Sequence, residues 1–194
     1  MATARINGIG IQYDMSGWGP PVLFLNDHGA HAAHWDRQRR ALQLRYRIIT
    51  FDDRATASGP MPAGPVYSVP QMADDAVALL DHLGIERAHL VGPSTGSLIA
   101  QDIALRHAER VRSLTLASAW PHPGPLCQIT QPALIVAAAE DTLPPPRVSL
   151  ELARSLPNAR FEWMPRGSRF IAEYSDRFNE ALLSFLAWLG AASA

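Results

Sequence analysis

The chain has 194 residues, 47% of them hydrophobic and 18% charged, with a formal net charge of −1. That length suits one domain, 1–194, with a well-filled core, and the near-neutral balance gives no reason to expect nucleic acid or an anionic membrane as partner. All 17 basic residues are arginine, which excludes lysine Schiff-base chemistry, and the single cysteine, Cys127, excludes an internal disulfide and cysteine metal-ligand spacing.

Residues 4–13 alternate, with Ile6, Ile9, Ile11 and Tyr13 around Asn7-Gly8, which predicts a two-residue hairpin. Pro20-Pro21 opens a short buried strand over 22–25. A loop rich in Gly, Ala and His over 26–33 leads into a helix over about 34–44. Residues 47–51 form the next strand, which ends at Asp52-Asp53-Arg54, and a Gly/Pro-rich loop spans 57–65. Ser68 caps a helix over about 70–83, with Met72, Ala76, Leu79, Leu80 and Leu83 on its apolar face and Gly84 ending it. Strands at 88–92, 111–117, 133–138 and 160–164 then alternate with helices at 95–108, 146–155 and 176–189. Leu134 to Ala138 is continuously apolar, as a strand covered on both faces requires. The fold class is α/β: a mostly parallel sheet, helices on both faces, and an antiparallel hairpin at the start. The first residues lack a long apolar run and no stretch approaches the ~18 apolar residues of a membrane span, so a cytoplasmic protein without a leader is expected.

The most informative stretch is Val91-Gly92-Pro93-Ser94-Thr95-Gly96. Gly-x-Ser-x-Gly stands here between a strand and a helix, the context of a nucleophile elbow. A turn that sharp strains Ser94 and needs small residues two positions to either side, which Gly92 and Gly96 supply. The Ser94 hydroxyl then stands at a helix N-terminus, where backbone N–H groups favour negative charge.

With these motifs in order, the chain resembles the α/β-hydrolase superfamily, especially its esterase and lactonase-like members, over nearly its whole length. Phe24-Leu25-Asn26 through Gly29 resembles the strand and oxyanion loop. Residues 52–57, Asp-Asp-Arg-Ala-Thr-Ala, resemble the Asp-x-Arg-Gly-x-Gly segment. Ala138-Ala139-Glu140-Asp141, with Pro145, resembles the segment carrying the triad acid, and Arg166 to Phe170 the Gly-x-x-His-Phe segment carrying the base. The resemblance implies Ser94 as nucleophile, Asp141 as acid, the Thr95 N–H as one oxyanion donor and the Asp27–His28 loop as the source of the other. The departures are as informative. Arg169 occupies the histidine slot. Ala55, Ala57, Ala138 and Asp27 stand where the family has glycine, Pro93 precedes the nucleophile, and Ser97 replaces a glycine. Residues 121–130 are a short link where relatives insert a helical cap, so the cap is expected to be absent and the pocket open and shallow. These changes cluster at one site while the scaffold pattern is intact, as selection on the site would leave them.

A serine hydroxyl needs an adjacent base, and a guanidinium does not lose its proton in proteins. The last histidine of the chain is His122. Two histidines are positioned as substitutes: His28 in the oxyanion loop and His122 beyond the strand ending at 117. Each also reads as a solvated loop residue. His31 and His34 decorate the start of the first helix, and His82, His89 and His107 read as structural. Arg169 either pairs with Asp141 or Glu140, or offers its charge to an anionic substrate. An Asp27 carboxylate in the oxyanion loop would repel a developing oxyanion. Trp120 is expected to line the pocket. There is no P-loop and no dinucleotide fingerprint, so no cofactor is expected and the partner is a small-molecule substrate. The sequence leaves the oligomeric state open.

Three readings follow. The first is a capless serine hydrolase acting on an ester, lactone or thioester through Ser94, Asp141 and a displaced histidine. In the second, a non-hydrolytic enzyme of the same fold, a cyclase, lyase or isomerase, works with Asp27, His28 and Arg169. The third is a binding protein that keeps a relic of the site.

Overall fold

The structure is a computed structural model and describes residues 1–54, 56, 68–165 and 169–192. The Gly/Pro-rich loop at 57–65, Ala55 and Ala57 of the Asp-x-Arg segment, and Arg166, Gly167 and Ser168 lie outside the described residues. Eight strands form one sheet: β1 (Ala2–Ile6), β2 (Ile9–Ser16), β3 (Pro21–Phe24), β4 (Arg47–Phe51), β5 (Ala88–Pro93), β6 (Val111–Ala117), β7 (Ala133–Ala138) and β8 (Ala159–Met164). Their spatial order is β1-β2-β4-β3-β5-β6-β7-β8. The pairings from β4 through β8 are parallel, and β2 joins both β1 and β4 in antiparallel fashion. Asn7 (φ 46°) and Gly8 (φ 83°) form the predicted hairpin turn, in the left-handed geometry that matches strand twist.

The helices are α1 (Asp36–Leu42), α2 (Val69–His82), α3 (Thr95–Arg106), α4 (Pro146–Ser155), α5 (Phe170–Glu173) and α6 (Ser175–Ala192). Three boundaries differ from the sequence reading. The helix expected at 34–44 is a 3-10 turn, Ala32–Trp35, followed by α1. The helix expected at 95–108 stops at Arg106, and a second 3-10 turn covers Ala108–Arg110. The last helix is longer than 176–189 and is preceded by the separate α5. Ser68 caps α2 as expected, its hydroxyl accepting from Gln71 N at 3.4 Å.

Strand alternation divides the core in two. Leu23, Leu25, Leu90, Leu114 and Ile135 face one way and pack with the apolar side of α2 and α3. Val22, Phe24, Val91, Leu134 and Val136 face the other way and pack with Phe178, Leu182, Phe185 and Leu186 of α6. Covering both faces explains why the central strands read as continuous apolar runs. Residues 118–132 join β6 to β7 with a single 3-10 turn, Leu126–Gln128, and no α-helix, so the core fold carries no cap there.

The order of strands also fixes where chemistry can occur. The chain leaves β3 for β4 on one side and returns to β5 on the other, which opens a crevice at the carboxyl ends of β3 and β5. Leu25 N donates to Val91 O at 2.8 Å, so the loop after β3 starts directly beside the elbow after β5.

Candidate active site

Ser94 has φ 45° and ψ −112°, a conformation L-residues seldom adopt, and it caps α3. The surroundings hold it there. Its N–H donates to Ala117 O at 3.0 Å, and its carbonyl accepts from Ser97 Oγ at 2.6 Å. The turn closes so tightly that a Cβ on Gly92 would press into the Gly96 carbonyl, and one on Gly96 would lie 2.7 Å from Leu25 O. Both glycines are therefore steric requirements of the elbow. Among the described residues, Ser94 Oγ has no hydrogen-bond partner.

The loop after β3 is braced from below. Asn26 is buried, donates through Nδ2 to Phe51 O at 2.7 Å and accepts from Trp35 Nε1 at 3.0 Å. Asp52 takes the Ala32 N–H at 2.8 Å and holds the far end. Arg54 of the same segment forms a buried two-pronged pair with Asp75 on α2, at 2.7 and 2.9 Å, and Asn7 of the hairpin adds a third bond to Asp75. Sheet edge, α2 and the loop after β4 are thus tied together just outside the site.

Asp27 is the unexpected part. Its Oδ1 accepts from His28 N at 2.8 Å and from Thr95 N at 3.3 Å. Thr95 is the first residue of α3, and its N–H has no partner within the helix. The two amides that the resemblance implies as oxyanion donors converge here on the carboxylate of Asp27. The expected repulsion is therefore met by an attraction: the charge itself sits on the donors.

Asp141 is buried, 6% exposed, at the end of β7. Its Oδ2 accepts from Ser118 Oγ and from Ala138 N, both at 3.0 Å. Burial raises its pKa, and these two hydrogen bonds act against the rise. Its Oδ1 is buried and has no hydrogen-bond partner among the described residues. Ser118, which sequence reasoning passed over, sits at φ 42° just beyond β6. The available signal was a hydroxyl at the same sheet edge as the elbow.

Three sequence expectations are corrected. Arg169 pairs with neither Asp141 nor Glu140. It starts α5, its side chain is 81% exposed, and its nearest acidic partner is Glu173 at 3.6 Å, one turn along the same helix. His122 is committed elsewhere: Nδ1 accepts from Gly124 N at 3.0 Å, which leaves Nε2 to carry the proton towards Asp102 Oδ1 at 3.3 Å. Asp102 lies eight residues along α3 from Ser94, about 12 Å at the helical rise. Trp120 is exposed, and its carbonyl accepts from Gln101.

A cavity of about 340 Å³ opens beside the elbow, lined by Asn26, Asp27, His34, Trp35, Pro93 and Arg169, with Ile171 and Ala172 of α5. Trp120 does not line it, and His34, read from sequence as helix decoration, does. His28 is exposed, and its backbone N–H donates to Asp27 Oδ1. Among the described residues no group of three His, Cys, Asp or Glu side chains is arranged to hold a metal ion, and no helix is long and apolar enough to cross a membrane.

The chain matches the family model for the alpha/beta hydrolase fold over residues 20–131, which include Asp27 and Ser94 but neither Asp141 nor Arg169. It is 37% identical over 134 residues to the protein of Caulobacter segnis named "Putative carbamate hydrolase RutD", covering 66% of this chain and 49% of that one. It is 27% identical to the protein of the same name from Caulobacter vibrioides, covering 91% of this chain and 95% of that one. The second alignment runs over 257 positions, 63 more than this chain has residues, so that relative carries stretches with no counterpart here. Among solved structures, the enol-lactonase of Burkholderia xenovorans LB400 superposes with a TM-score of 0.87 at 21% identity, covering 96% of this chain and 100% of that one. The meta-cleavage product hydrolase of Pseudomonas fluorescens IP01 gives a TM-score of 0.89, also at 21% identity, covering 96% and 97%. Eight strands in this order, helices on both faces, a Gly-x-Ser-x-Gly elbow and the family match make this chain a member of the alpha/beta hydrolase fold family, a hydrolase-type enzyme without a cap.

Proposed function

We propose that residues 1–194 act as one catalytic domain that hydrolyses a small carbonyl substrate, an ester, lactone, thioester or carbamate, through Ser94. The observation that carries this reading is the convergence of Thr95 N and His28 N on a single oxygen beside a strained serine. Two backbone donors from separate loops aimed at one point are the apparatus of acyl transfer. The names of the RutD relatives and of the enol-lactonase favour a carbamate or a lactone.

In this reading Ser94 Oγ attacks the carbonyl carbon and gives its proton to a base. The oxyanion takes the Thr95 and His28 amides, the leaving group departs with the proton, and water hydrolyses the acyl-enzyme. Arg169 cannot serve as base, and both nitrogens of His122 are engaged. The base role falls to the 28–34 segment: His28 on the oxyanion loop, or His34, which lines the cavity. Arg169 at the rim offers its charge to an acidic substrate.

The unpartnered Asp141 Oδ1 and the occupied donors favour one second reading, a non-hydrolytic acid–base reaction using Asp27. A fluorophosphonate probe read by intact mass separates the two. Stoichiometric labelling that is lost in Ser94→Ala supports the hydrolase, and slower labelling in His28→Gln or in His34→Gln identifies the base. No labelling of folded protein over hours overturns the Ser94 mechanism. Activity retained in Ser94→Ala supports the second reading.

A further inference from the structure

We propose that Asp27 is an internal occupant of the oxyanion hole, and that its carboxylate competes with the substrate carbonyl for the two donors that act on Ser94 chemistry. The inference rests on the hydrolase reading for its effect on rate, but its structural content stands apart from it. Asp27 Oδ1 accepts both the His28 and the Thr95 N–H, at 2.8 and 3.3 Å, where a ligand oxygen would otherwise sit. The position is built for an anion: Thr95 opens a 12-residue helix whose dipole favours negative charge at that end. Asp27 also lines the cavity with His34 and Arg169, and its Oδ2 has no hydrogen bond among the described residues. The longer of the two bonds is the one to Thr95, on the far side of the crevice. Among the described residues the side chain is held by those two amides, and it borders the cavity.

The charge, and not only the bulk, makes this an occupant. A neutral residue at position 27 would leave the amides to water, which a substrate carbonyl displaces readily. A carboxylate forms stronger, charge-assisted bonds to the same donors. A substrate must therefore displace an anion before its carbonyl is polarised. Removing one donor from such a hole costs on the order of 10²–10³ in rate, so freeing both by Asp27→Gly is expected to raise Ser94 acylation on the order of tenfold or more.

Two measurements test this. The first needs no reactive serine: acetate is titrated into wild type, Asp27→Gly and Asp27→Asn while the backbone amides of Thr95 and His28 are followed by NMR. Saturable shifts of both amides in Asp27→Gly, with no shift in wild type, support the proposal. Asp27→Asn keeps an oxygen acceptor without the charge, and its response is expected to fall between the two. Equal shifts in wild type and Asp27→Gly, or none in either, overturn it. The second is the rate of fluorophosphonate labelling at Ser94, expected to rise in Asp27→Gly. If acetate behaves as expected while Ser94 stays unlabelled in every variant, the occupied hole stands and the serine mechanism falls.

Discussion

Replacing Gly92 by alanine tests whether the elbow geometry sets the site. An added Cβ would press on the Gly96 carbonyl, 2.5 Å from its carbon and 3.0 Å from its Cα, and all of these neighbours are backbone. Carbon atoms in ordinary contact lie ~3.5–4.0 Å apart, so the first turn of α3 must retreat from β5 by about 1 Å. Overpacking of this kind costs about 1–3 kcal/mol, and in a domain of this size each kcal/mol moves Tm by roughly 2–4 °C. The expected fall is therefore about 2–12 °C. The retreat also carries Thr95 N, already 3.3 Å from Asp27 Oδ1, out of hydrogen-bond reach. A displacement of that size at a reacting centre lowers rates by on the order of 10²-fold. Scanning fluorimetry and the rate of Ser94 labelling read the two effects together. Gly190→Ala in α6 is the control of opposite sign: nothing lies within 4 Å of its Cβ, and alanine is favoured in a helix by up to about 1 kcal/mol. A Gly92→Ala protein that melts with wild type and labels at the same rate would refute the argument.

Three further outcomes follow from buried charge. His89 is buried on β5 beside Ser113 Oγ at 2.8 Å, and burial first, then Arg112 and Arg87, lower its pKa from 6.5 to about 4. The unfolded chain therefore takes up the proton first, so stability falls as pH drops from about 6.5 to about 4 and the loss stops growing below that. At 1.36 kcal/mol per unit the loss is about 3 kcal/mol, and chemical unfolding at stepped pH should show it in wild type but not in His89→Gln. Asp75→Ala leaves the Arg54 guanidinium buried without its two-pronged partner, with an expected cost of about 3–5 kcal/mol. A cost below about 1 kcal/mol in urea unfolding would show that the pair does not brace the site. Ser118→Ala removes one of two donors to Asp141 Oδ2, which should raise the Asp141 pKa further and cost about 2 kcal/mol at neutral pH. That cost should shrink as pH falls and the carboxyl becomes neutral, and a cost independent of pH would argue against a charged Asp141.

The scaffold was legible because its signals are local. Asn7-Gly8, Ser68 and the apolar periodicity of residues 72–80 each specify an element without reference to anything distant. The elbow was legible for the same reason, since Gly92 and Gly96 answer a steric demand within five residues. The site was legible only as a set of positions. The commitment of His122 to Asp102 depends on hydrogen bonds between a loop and the middle of α3. The pairing of Arg169 depends on a helical turn that starts at that residue and places Glu173 beside it. Neither contact follows from the periodicity or motif spacing that placed the elements.

Asp27 shows most clearly why charge signs alone mislead. From sequence, a carboxylate in an oxyanion loop opposes the charge that acyl transfer develops. In the structure, the same carboxylate accepts hydrogen bonds from two backbone amides, those of His28 and Thr95. Both statements hold on the proposed role, because donors able to stabilise a transient oxyanion also stabilise a permanent one. On that proposal the two donors keep their placement while Asp27 occupies them. What changes is the competition: a substrate must offer those amides more than Asp27 does. With Asp27 on both amides, that competition adds to the barrier whichever residue serves Ser94 as base. Adding a histidine at the cavity rim by Arg169→His alone should therefore raise Ser94 labelling less than combining it with Asp27→Gly, and a double variant no faster than Arg169→His would place the barrier elsewhere.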